Sequence, residues 1–161
     1  MKGKKYRILF VCHGNICRSP MAEFIMTKLV RDAKQEEHFY IDSKATSTEE
    51  LGNAPYPPAQ RKLNAQGVPM HPHRASQIKK SDYDDFDYII GMDSANMRNM
   101  KRIFGEDSQG KLHKLTEYSS YSGDIEDPWY SGDFDTVYEQ ILDGCEGLLN
   151  HLLGLSSYAE K

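Results

Sequence analysis

The sequence is poor in cysteine and has no long apolar run, and each shortage excludes a class of protein. Three cysteines in 161 residues, an odd number, argue against a disulfide framework and favour a reducing cytoplasm. No run approaches the roughly 20 apolar residues of a membrane-spanning helix. Residues 8–12 are too few for the apolar part of a signal peptide. We therefore expect a cytoplasmic protein that makes no membrane contact.

Positive charge is also scarce. Lys and Arg number 20 against 24 Asp and Glu, and no basic cluster is denser than the one at residues 2–5. This composition offers no basic surface for binding nucleic acid. The chain has no internal repeat and no linker-like segment, so we expect one domain over residues 1–161. No long apolar stripe is left unassigned, which favours a monomer.

Metal-ligand spacing is absent as well. Cys12, Cys17 and Cys145 form no C-x2-C pair, which zinc sites normally need. His71 and His73 flank a proline, but no carboxylate or cysteine stands near them in sequence. We therefore expect no metal and no other cofactor.

Strand-like runs alternate with helical patterns along the chain. The strand-like runs are Tyr6–Val11, Phe39–Ser43, Phe86–Gly91 and, more weakly, Leu112–Leu115. Helical spacing of apolar residues occurs at about 20–30, Pro58–Gln66, about Ser94–Phe104 and Phe134–Leu153. This alternation predicts an α/β fold in which helices cover both faces of a parallel sheet.

The first strand leads directly into the loop Cys12–Pro20, which has a thiol near one end and a guanidinium near the other. Ser19 and Pro20 predict a helix start, with Ser19 as the N-cap and Pro20 as the first helical residue. Gly14 permits a positive φ, and Asn15 tolerates the left-handed region better than most residues. Loop N–H groups and the helix N-terminus would then converge on one point and bind an anion.

This loop has the residues needed for attack on phosphorus. Arg18 can bind two phosphate oxygens at once, and the same positive field favours the thiolate form of Cys12. Ligands of such sheets bind beyond the carboxyl ends of strands, where Cys12 is expected. Alternatively, Cys12 and Cys17 are small buried apolar residues at a strand end. The glycine, the arginine and the helix start together favour the phosphate site.

A carboxylic acid late in the chain could complete such a site. An aryl or alkyl oxygen leaves more easily when an acid protonates it, and the same carboxylate can later activate water. Asp127 is the best candidate, since Pro128 stiffens its turn and Trp129 and Tyr130 could form an aromatic wall against a substrate ring. The alternative is that Asp-Pro is turn chemistry and that the aromatic residues belong to the core.

Several segments resemble those of the low-molecular-weight protein tyrosine phosphatases, and the resemblance covers nearly the whole chain. The strongest matches are the loop Cys12–Pro20 and the Asp127-Pro128 pair followed by two aromatic residues. Further similar segments are Asp42–Ser47, Gly67–Pro69, His73–Ala75 and Asp87–Asp93. The resemblance implies a flavodoxin-like three-layer sandwich whose parallel sheet has four strands in the order 2-1-3-4. It also implies hydrolysis of phosphotyrosine in tyrosine-phosphorylated proteins, and of small aryl phosphates, through a phosphocysteine intermediate.

The resemblance also implies the roles of individual residues. Cys12 would attack phosphorus, and Arg18 with the amides of residues 13–18 would stabilise the transition state. Asp127 would protonate the departing phenol and then deprotonate the attacking water. The residues expected to contact phosphate or substrate are His13, Gly14, Asn15, Ile16, Cys17, Trp129 and Tyr130.

Supporting and redox roles follow from the same resemblance. Ser19 would hydrogen-bond the Cys12 sulfur, while Asn15, Ser43 and His73 would form a network that holds the loop in shape. A reversible disulfide between Cys12 and its loop neighbour, the cysteine at position 17, would inactivate the enzyme and protect the nucleophile from irreversible oxidation. The third cysteine, at position 145, lies on an apolar helical stripe and is expected to serve packing.

Three positions depart from the pattern of that family. His13 stands where an apolar residue is common, and Glu49 stands where many members have an aromatic residue at the cleft entrance. Tyr56 replaces an acidic residue and could supply a displaced aromatic contact. These departures bear on the choice of substrate and leave the reaction type unaffected.

Other functions use parts of the same design. Phosphoarginine phosphatases of the family usually have Thr where Ile16 stands, so Ile16 with Trp129 and Tyr130 favours an aryl phosphate. Arsenate reductases need further cysteines in mid-chain, and residues 18–144 contain none. A phosphate-binding module or a phosphocysteine carrier would have no use for Asp127.

Overall fold

A computed structural model describes residues 5–154 as a parallel sheet between two layers of helices. The strands are β1 (Tyr6–Cys12), β2 (Phe39–Ala45), β3 (Tyr88–Gly91) and β4 (Leu112–Lys114), hydrogen-bonded in the order β2-β1-β3-β4. The α-helices of this part of the chain are α1 (Arg18–Asp32), α2 (Pro57–Ala65), α3 (Asp82–Asp85), α4 (Ser94–Phe104), α5 (Pro128–Ser131) and α6 (Phe134–Leu152). Short 3-10 turns occur at Glu36–His38 and Leu115–Tyr118. The predicted flavodoxin-like fold and strand order are confirmed.

The central strand β1 contributes to two separate apolar clusters because its side chains alternate between the faces of the sheet. Ile8 and Phe10 pack in the larger cluster, which includes Phe24 of α1 and much of α6. Leu9 and Val11 pack in the smaller cluster, which α4 covers. All four β1 side chains are fully buried, which explains the continuous apolar run in the sequence.

The predicted element boundaries hold to within a few residues. β1 extends one residue further than expected and so includes Cys12. β3 begins at Tyr88, whereas the sequence indicated a start at Phe86. Phe86 instead is the C-cap residue that follows α3, and the Asp87 carboxylate accepts a hydrogen bond of 2.9 Å from the Arg7 amide. α2 is shifted one residue towards the N-terminus, and α4 has the predicted bounds.

Gly147 lets the last helix approach the chain that leads to Asp127. A Cβ atom at Gly147 would lie 1.7 Å from the carbonyl oxygen of Tyr118, so no other residue fits this position. α6 therefore packs directly on the 3-10 turn at Leu115–Tyr118. This contact fixes the start of the loop that connects the turn to α5.

The parallel strands all end at one edge of the sheet, and the loop after β1 lies at that edge. Cys12 of β1 pairs in register with Ala45 of β2, and Gly91 of β3 pairs with the residue before Cys12. Within residues 5–154, no helix is long and apolar enough to cross a membrane.

Candidate active site

Hydrogen-bond donors surround the sulfur of Cys12. Its Sγ accepts from the amides of Asn15 at 3.3 Å and Ser19 at 3.4 Å, and lies 3.0 Å from the Ser19 hydroxyl. The Ser19 Oγ already accepts a bond of 2.8 Å from the Asn15 side-chain amide. Its own proton is therefore available to the sulfur, so three hydrogen-bond donors converge on Sγ.

The helix after the loop starts earlier than the sequence indicated. α1 begins at Arg18 with Cys17 at the N-cap position, and no side chain caps it. The prediction that Ser19 is the N-cap is wrong. Ser19 lies inside the first turn of α1, and its hydroxyl bonds the Cys12 sulfur and caps no helical amide. Pro20 still lies in the first turn, where a missing N–H removes no helical hydrogen bond.

The loop backbone takes its left-handed turn at Asn15, as expected. Asn15 has φ 61° and is fully buried. Gly14 permits a positive φ but does not adopt one here. The Gly14 position is close-packed, since a Cβ there would lie 3.3 Å from Cγ of Glu50. A larger residue would push that side chain away from the loop.

The Arg18 guanidinium is buried and points one edge into the cleft. Its Nη1 donates to Oδ2 of Asp93 and to the carbonyl oxygen of Ile125, both at 2.7 Å. Its Nη2 lies 3.7 Å from Oδ2 of Asp127, and its Nε has no hydrogen-bond partner among the described residues. Burial tends to lower the pKa of Arg18, but the negative charges of Cys12, Asp93 and Asp127 raise it above its ordinary value.

Asp93 is a site residue that sequence reasoning missed. One of its oxygens accepts from Arg18, and the other caps α4 by accepting from the Asn96 amide at 2.7 Å. Two signals could have found it. Asp93 follows the strand beside β1, and it precedes a predicted helix as a capping residue would.

The predicted support residues meet around the Asn15 side chain. Its amide nitrogen donates to the Ser43 hydroxyl at 3.0 Å as well as to Ser19. Its oxygen lies 3.0 Å from Nε2 of His73 and accepts from the Ser76 amide at 3.2 Å. The structure thus brings Ser43 and His73 together on the buried side of the loop.

Glu23 continues this network and was also missed. It is buried in the middle of α1, where its Oε1 accepts from the Ser43 hydroxyl at 2.6 Å. His71 Nε2 lies 2.5 Å from Glu23 Oε2, and His73 Nδ1 lies 3.5 Å from Oε1. A carboxylate within an otherwise apolar helical stripe was the available signal, because buried charges are nearly always paired.

One group of described residues has metal-ligand character. Ligand atoms of Glu23, Asp42 and His73 lie within 4.8 Å of one another, a proximity that their separation in sequence hides. Each residue already takes part in the loop network. Glu23 and Asp42 accept from the side chain and the amide of Ser43, respectively, and His73 binds Asn15. These hydrogen bonds explain why the three side chains lie close together: they support the loop.

Asp127 lies at the mouth of the cleft that contains Cys12. Its Oδ1 caps α5 by accepting from the Trp129 amide at 3.1 Å, and its Oδ2 faces Arg18. The side chain is a quarter exposed, so it can exchange protons with a ligand or with water. The cleft is lined by Cys12, His13, Gly14, Ile16, Cys17, Arg18, Glu49, Glu50, Asp127, Trp129 and Tyr130.

The entrance of this cleft has an aromatic side and a charged side. Tyr56 stacks on Trp129 with 4.6 Å between ring centroids, so Tyr56 does supply an aromatic contact. Tyr130 is the most exposed of the large aromatic and aliphatic side chains within residues 5–154. On the other side, His13 Nε2 lies 3.1 Å from Glu49 Oε1.

The other two cysteines have buried thiols. Burial, reinforced by the charges of Cys12 and Asp127, raises the pKa of Cys17 far above its ordinary value. Burial likewise raises the pKa of Cys145, whose side chain packs in the larger apolar cluster. Both therefore remain neutral thiols at neutral pH, and the packing role expected for Cys145 agrees with its position.

Comparison with known proteins identifies relatives of similar length. The family model described as low molecular weight phosphotyrosine protein phosphatase matches residues 7–156. A Gallus gallus protein of that name is 44% identical over 152 residues, covering 91% of this chain and 96% of the relative. The crystal structure of YfkJ from Bacillus subtilis has a TM-score of 0.92 at 36% identity, covering 96% of this chain and 98% of that one. DARP, drosophila arginine phosphatase, has a TM-score of 0.83 at 33% identity, covering 90% and 96%.

Proposed function

This chain belongs to the low molecular weight phosphotyrosine protein phosphatase family, and we propose that it hydrolyses phosphotyrosine through a phosphocysteine intermediate on Cys12. One observation carries the proposal. The Cys12 sulfur, surrounded by three donors, lines the same cleft as Arg18, whose buried Nε has no hydrogen-bond partner among the described residues. A phosphoryl group in that cleft would supply the acceptor that Arg18 lacks and the phosphorus that the thiolate attacks.

In the first step, the Cys12 thiolate attacks phosphorus in line with the phenolic oxygen. The S–P bond forms as the P–O bond breaks, and Asp127 transfers its proton to the departing phenolate. Nε and Nη2 of Arg18, with the loop amides of residues 13–18, bind the equatorial oxygens. Asp93 and the Ile125 carbonyl hold the guanidinium in place, so it need not reorganise as charge develops.

In the second step, the Asp127 carboxylate removes a proton from water, and the water oxygen attacks the phosphocysteine. The S–P bond breaks, phosphate leaves, and the thiolate is restored. Ser19 is well placed to stabilise that leaving thiolate, since its hydroxyl lies 3.0 Å from Sγ. The buried network of Asn15, Ser43 and Glu23 keeps the hydroxyl and the loop amides aimed at the reacting atoms.

The cleft entrance supports tyrosine-phosphorylated proteins as substrates. Trp129 and Tyr130 present aromatic surface on the side where a phenyl ring would leave the phosphate site. Ile16 adds apolar surface to the same cleft. We infer that the reaction needs no cofactor and takes place in the cytoplasm, in a monomer folded as one domain.

Cys17 supports a protective redox function. Peroxide would oxidise the Cys12 thiolate to a sulfenic acid and release hydroxide. The Cys17 sulfur would then attack the Cys12 sulfur, so that the S–S bond forms as the S–O bond breaks, and the departing hydroxide and the Cys17 thiol proton leave together as water. We expect peroxide-treated enzyme to recover activity with dithiothreitol, and Cys17→Ala to lose that recovery while Cys145→Ala keeps it. Equal recovery in all three proteins would exclude the disulfide.

The deciding experiment measures hydrolysis of p-nitrophenyl phosphate, a phosphotyrosine peptide and phosphoarginine in the presence of EDTA. We expect turnover that favours the tyrosine peptide, is lost in Cys12→Ser and persists in Cys145→Ser. Acid-quenched enzyme should retain labelled phosphate on Cys12 when Asp127→Ala slows the second step. Turnover in Cys12→Ser would contradict the covalent mechanism.

Hydrolysis of phosphoarginine is the second candidate activity, because a relative at 33% identity is named an arginine phosphatase. Ile16 and the exposed aromatic side of the cleft favour the flat aryl ring instead. A preference for phosphoarginine over the tyrosine peptide would show that these residues do not determine specificity. Phosphate binding without any turnover would assign the loop to a binding module.

A further inference from the structure

The charged side of the cleft entrance is built from Glu49 and Glu50, which we call the acidic wall. The chain segment that carries them is attached to the phosphate loop, because the amide and the hydroxyl of Ser47 both donate to the His13 carbonyl oxygen, at 3.1 and 2.9 Å. Glu50 packs its Cγ beside Gly14 and accepts from the Asn53 side chain at 2.8 Å. The wall is therefore held at a fixed place beside the phosphate site.

The acidic wall keeps a net negative charge. His13 lies 3.1 Å from Glu49, and even a protonated His13 offsets only one of the two carboxylates. The other cation that lines the cleft is Arg18, whose Nη1 is bound to Asp93 and whose remaining edge faces the phosphate site. Asp127 adds a further carboxyl group at the mouth. The cleft thus combines a floor whose guanidinium and amide donors face the phosphate site with a negatively charged entrance.

A substrate must fit the phosphate site at the floor and the charged entrance of the cleft at the same time. The buried, unpartnered Nε of Arg18 marks where the phosphate binds, and this anchors the phosphotyrosine in the cleft. Residues next to the phosphotyrosine then extend over the entrance, between the acidic wall and Trp129. Lys or Arg at those positions would be attracted by the wall, whereas Asp or Glu would be repelled.

We propose that the acidic wall selects phosphotyrosine sites flanked by lysine or arginine, a specificity that rests on the proposed function. Charges at a cleft entrance act mainly on encounter and binding, so the preference should appear in KM with little change in kcat. We expect kcat/KM for a Lys-flanked peptide to exceed that for a Glu-flanked peptide by about tenfold at low salt. The ratio should shrink at an ionic strength of about 1 M, where the Debye length is only about 3 Å.

The test compares three peptides that are identical except for Lys, Gln or Glu on both sides of the phosphotyrosine. The double variant Glu49→Gln/Glu50→Gln should reduce the Lys-to-Glu ratio of kcat/KM to about twofold or less. The matched control is Glu36→Gln/Glu37→Gln, which removes the same charge from an exposed turn before β2, at the opposite end of the sheet. This control should keep the wild-type ratio.

The possible results distinguish a failure of the proposed phosphatase activity from a failure of the proposed peptide preference. If the wild type fails to hydrolyse p-nitrophenyl phosphate, the proposed function is wrong. If it hydrolyses that substrate but the peptide ratio is the same in the wild type and in both double variants, the acidic wall is not a specificity determinant. A preference for phosphoarginine over every tyrosine peptide, lost in Glu49→Gln/Glu50→Gln, would also overturn the proposal, because the wall would then recognise the leaving group.

Discussion

The floor and the entrance of the cleft differ in burial and in hydrogen bonding. At the floor, Cys12, Asn15, Arg18 and Ser19 are each at most 3% exposed. Ser19 hydrogen-bonds both Cys12 and Asn15, and Arg18 donates to Asp93 and to the Ile125 carbonyl. At the entrance, Trp129 is 48% exposed and Tyr130 is 83% exposed. The two regions line the same cleft, yet water reaches one and is largely excluded from the other.

This difference implies that the floor and the entrance affect different properties of the enzyme. Electrostatic interactions are stronger where water is excluded, and a buried polar group that loses its partner is costly. Changes at the floor should therefore lower kcat or the stability of the fold by large amounts. At the entrance, water replaces lost contacts, so changes should shift KM by small factors. Each prediction below tests one side of this comparison.

The largest effect is expected for Arg18→Lys. A lysine has one compact ammonium group, which cannot bind Asp93, the Ile125 carbonyl and two phosphate oxygens together. We expect kcat/KM for p-nitrophenyl phosphate to fall on the order of 10³-fold. Steady-state kinetics and inhibition by inorganic phosphate measure the loss of turnover and of anion binding separately.

Arg7→Lys is the matched control for that substitution. Arg7 also donates to a backbone carbonyl, that of Asp85 at 2.6 Å, and lies over the Tyr40 ring, away from the cleft. Its replacement should leave kcat/KM within about twofold. If Arg18→Lys were equally mild, the guanidinium would not be the phosphate ligand, and the contrast between floor and entrance would lose its main support.

A loss of about 10²-fold or more is expected for Asp127→Asn with phenyl phosphate, whose leaving group needs a proton. Asparagine can still cap α5 at the Trp129 amide, so the substitution removes the acid and keeps the turn. The loss should be smaller for 2,4-dinitrophenyl phosphate, because that phenolate leaves without protonation. Rates for a series of aryl phosphates measure this dependence.

Asp133→Asn controls for the cap itself. Asp133 caps α6 through the Thr136 amide at 3.0 Å, as Asp127 caps α5, but Asp133 does not line the cleft. We expect its variant to retain wild-type rates for every leaving group. A loss in Asp127→Asn that is uniform across leaving groups would contradict general acid catalysis.

The residues at the floor of the cleft could be predicted from the sequence because the patterns that indicate them are local. Strand, loop and helix start follow one another within a few residues of Cys12, and the spacing of Cys12 and Arg18 carries the chemistry. Local reasoning failed where partners are distant in sequence. Ser19 was assigned to the helix cap from its local context, and its bond to Cys12 was implied only by the family resemblance. Glu23 of α1 was missed because its partner Ser43 lies on β2, 20 residues further along the chain.

The entrance could be predicted only in part. Trp129 and Tyr130 were located through their position after Asp127, but the packing of Tyr56 against Trp129 depends on how the start of α2 meets α5. Glu49 was visible as a departure from the family pattern. Its contact with His13 follows from the hydrogen bonds that attach one loop to the other, which no local pattern encodes.

A smaller effect is expected for Ser43→Ala, which removes one link of the network beneath the loop. The substitution leaves the Asn15 amide and the Glu23 carboxylate each without one buried partner. We expect the free energy of unfolding to fall by about 1–3 kcal/mol, and kcat to fall about tenfold because the loop is held less firmly. Urea denaturation and p-nitrophenyl phosphate kinetics measure the two effects.

Ser119→Ala is the control for the loss of a hydroxyl. Ser119 Oγ bonds the Thr116 and Tyr121 carbonyls and the Tyr121 amide in a partly exposed segment where water can replace it, so its loss should change the free energy of unfolding by at most about 0.5 kcal/mol. Equal urea midpoints for Ser43→Ala and Ser119→Ala would mean that the buried network does not support the loop.

The smallest effect is expected at the entrance, for Trp129→Leu. This substitution keeps apolar bulk but removes the ring that stacks on Tyr56 at 4.6 Å and faces the cleft. Aromatic pairs contribute about 0.5–1.5 kcal/mol beyond the area they bury. Since 1.4 kcal/mol corresponds to a factor of ten, KM for a phosphotyrosine peptide should rise about two- to tenfold. The kcat should stay close to the wild-type value, because no reacting atom touches the ring.

Leu51→Ala is the control. Leu51 is an exposed apolar residue that does not line the cleft, so its substitution should leave both constants unchanged. A large fall in kcat for Trp129→Leu with KM unchanged would place this exposed ring in the catalytic step, and the division between floor and entrance would be wrong.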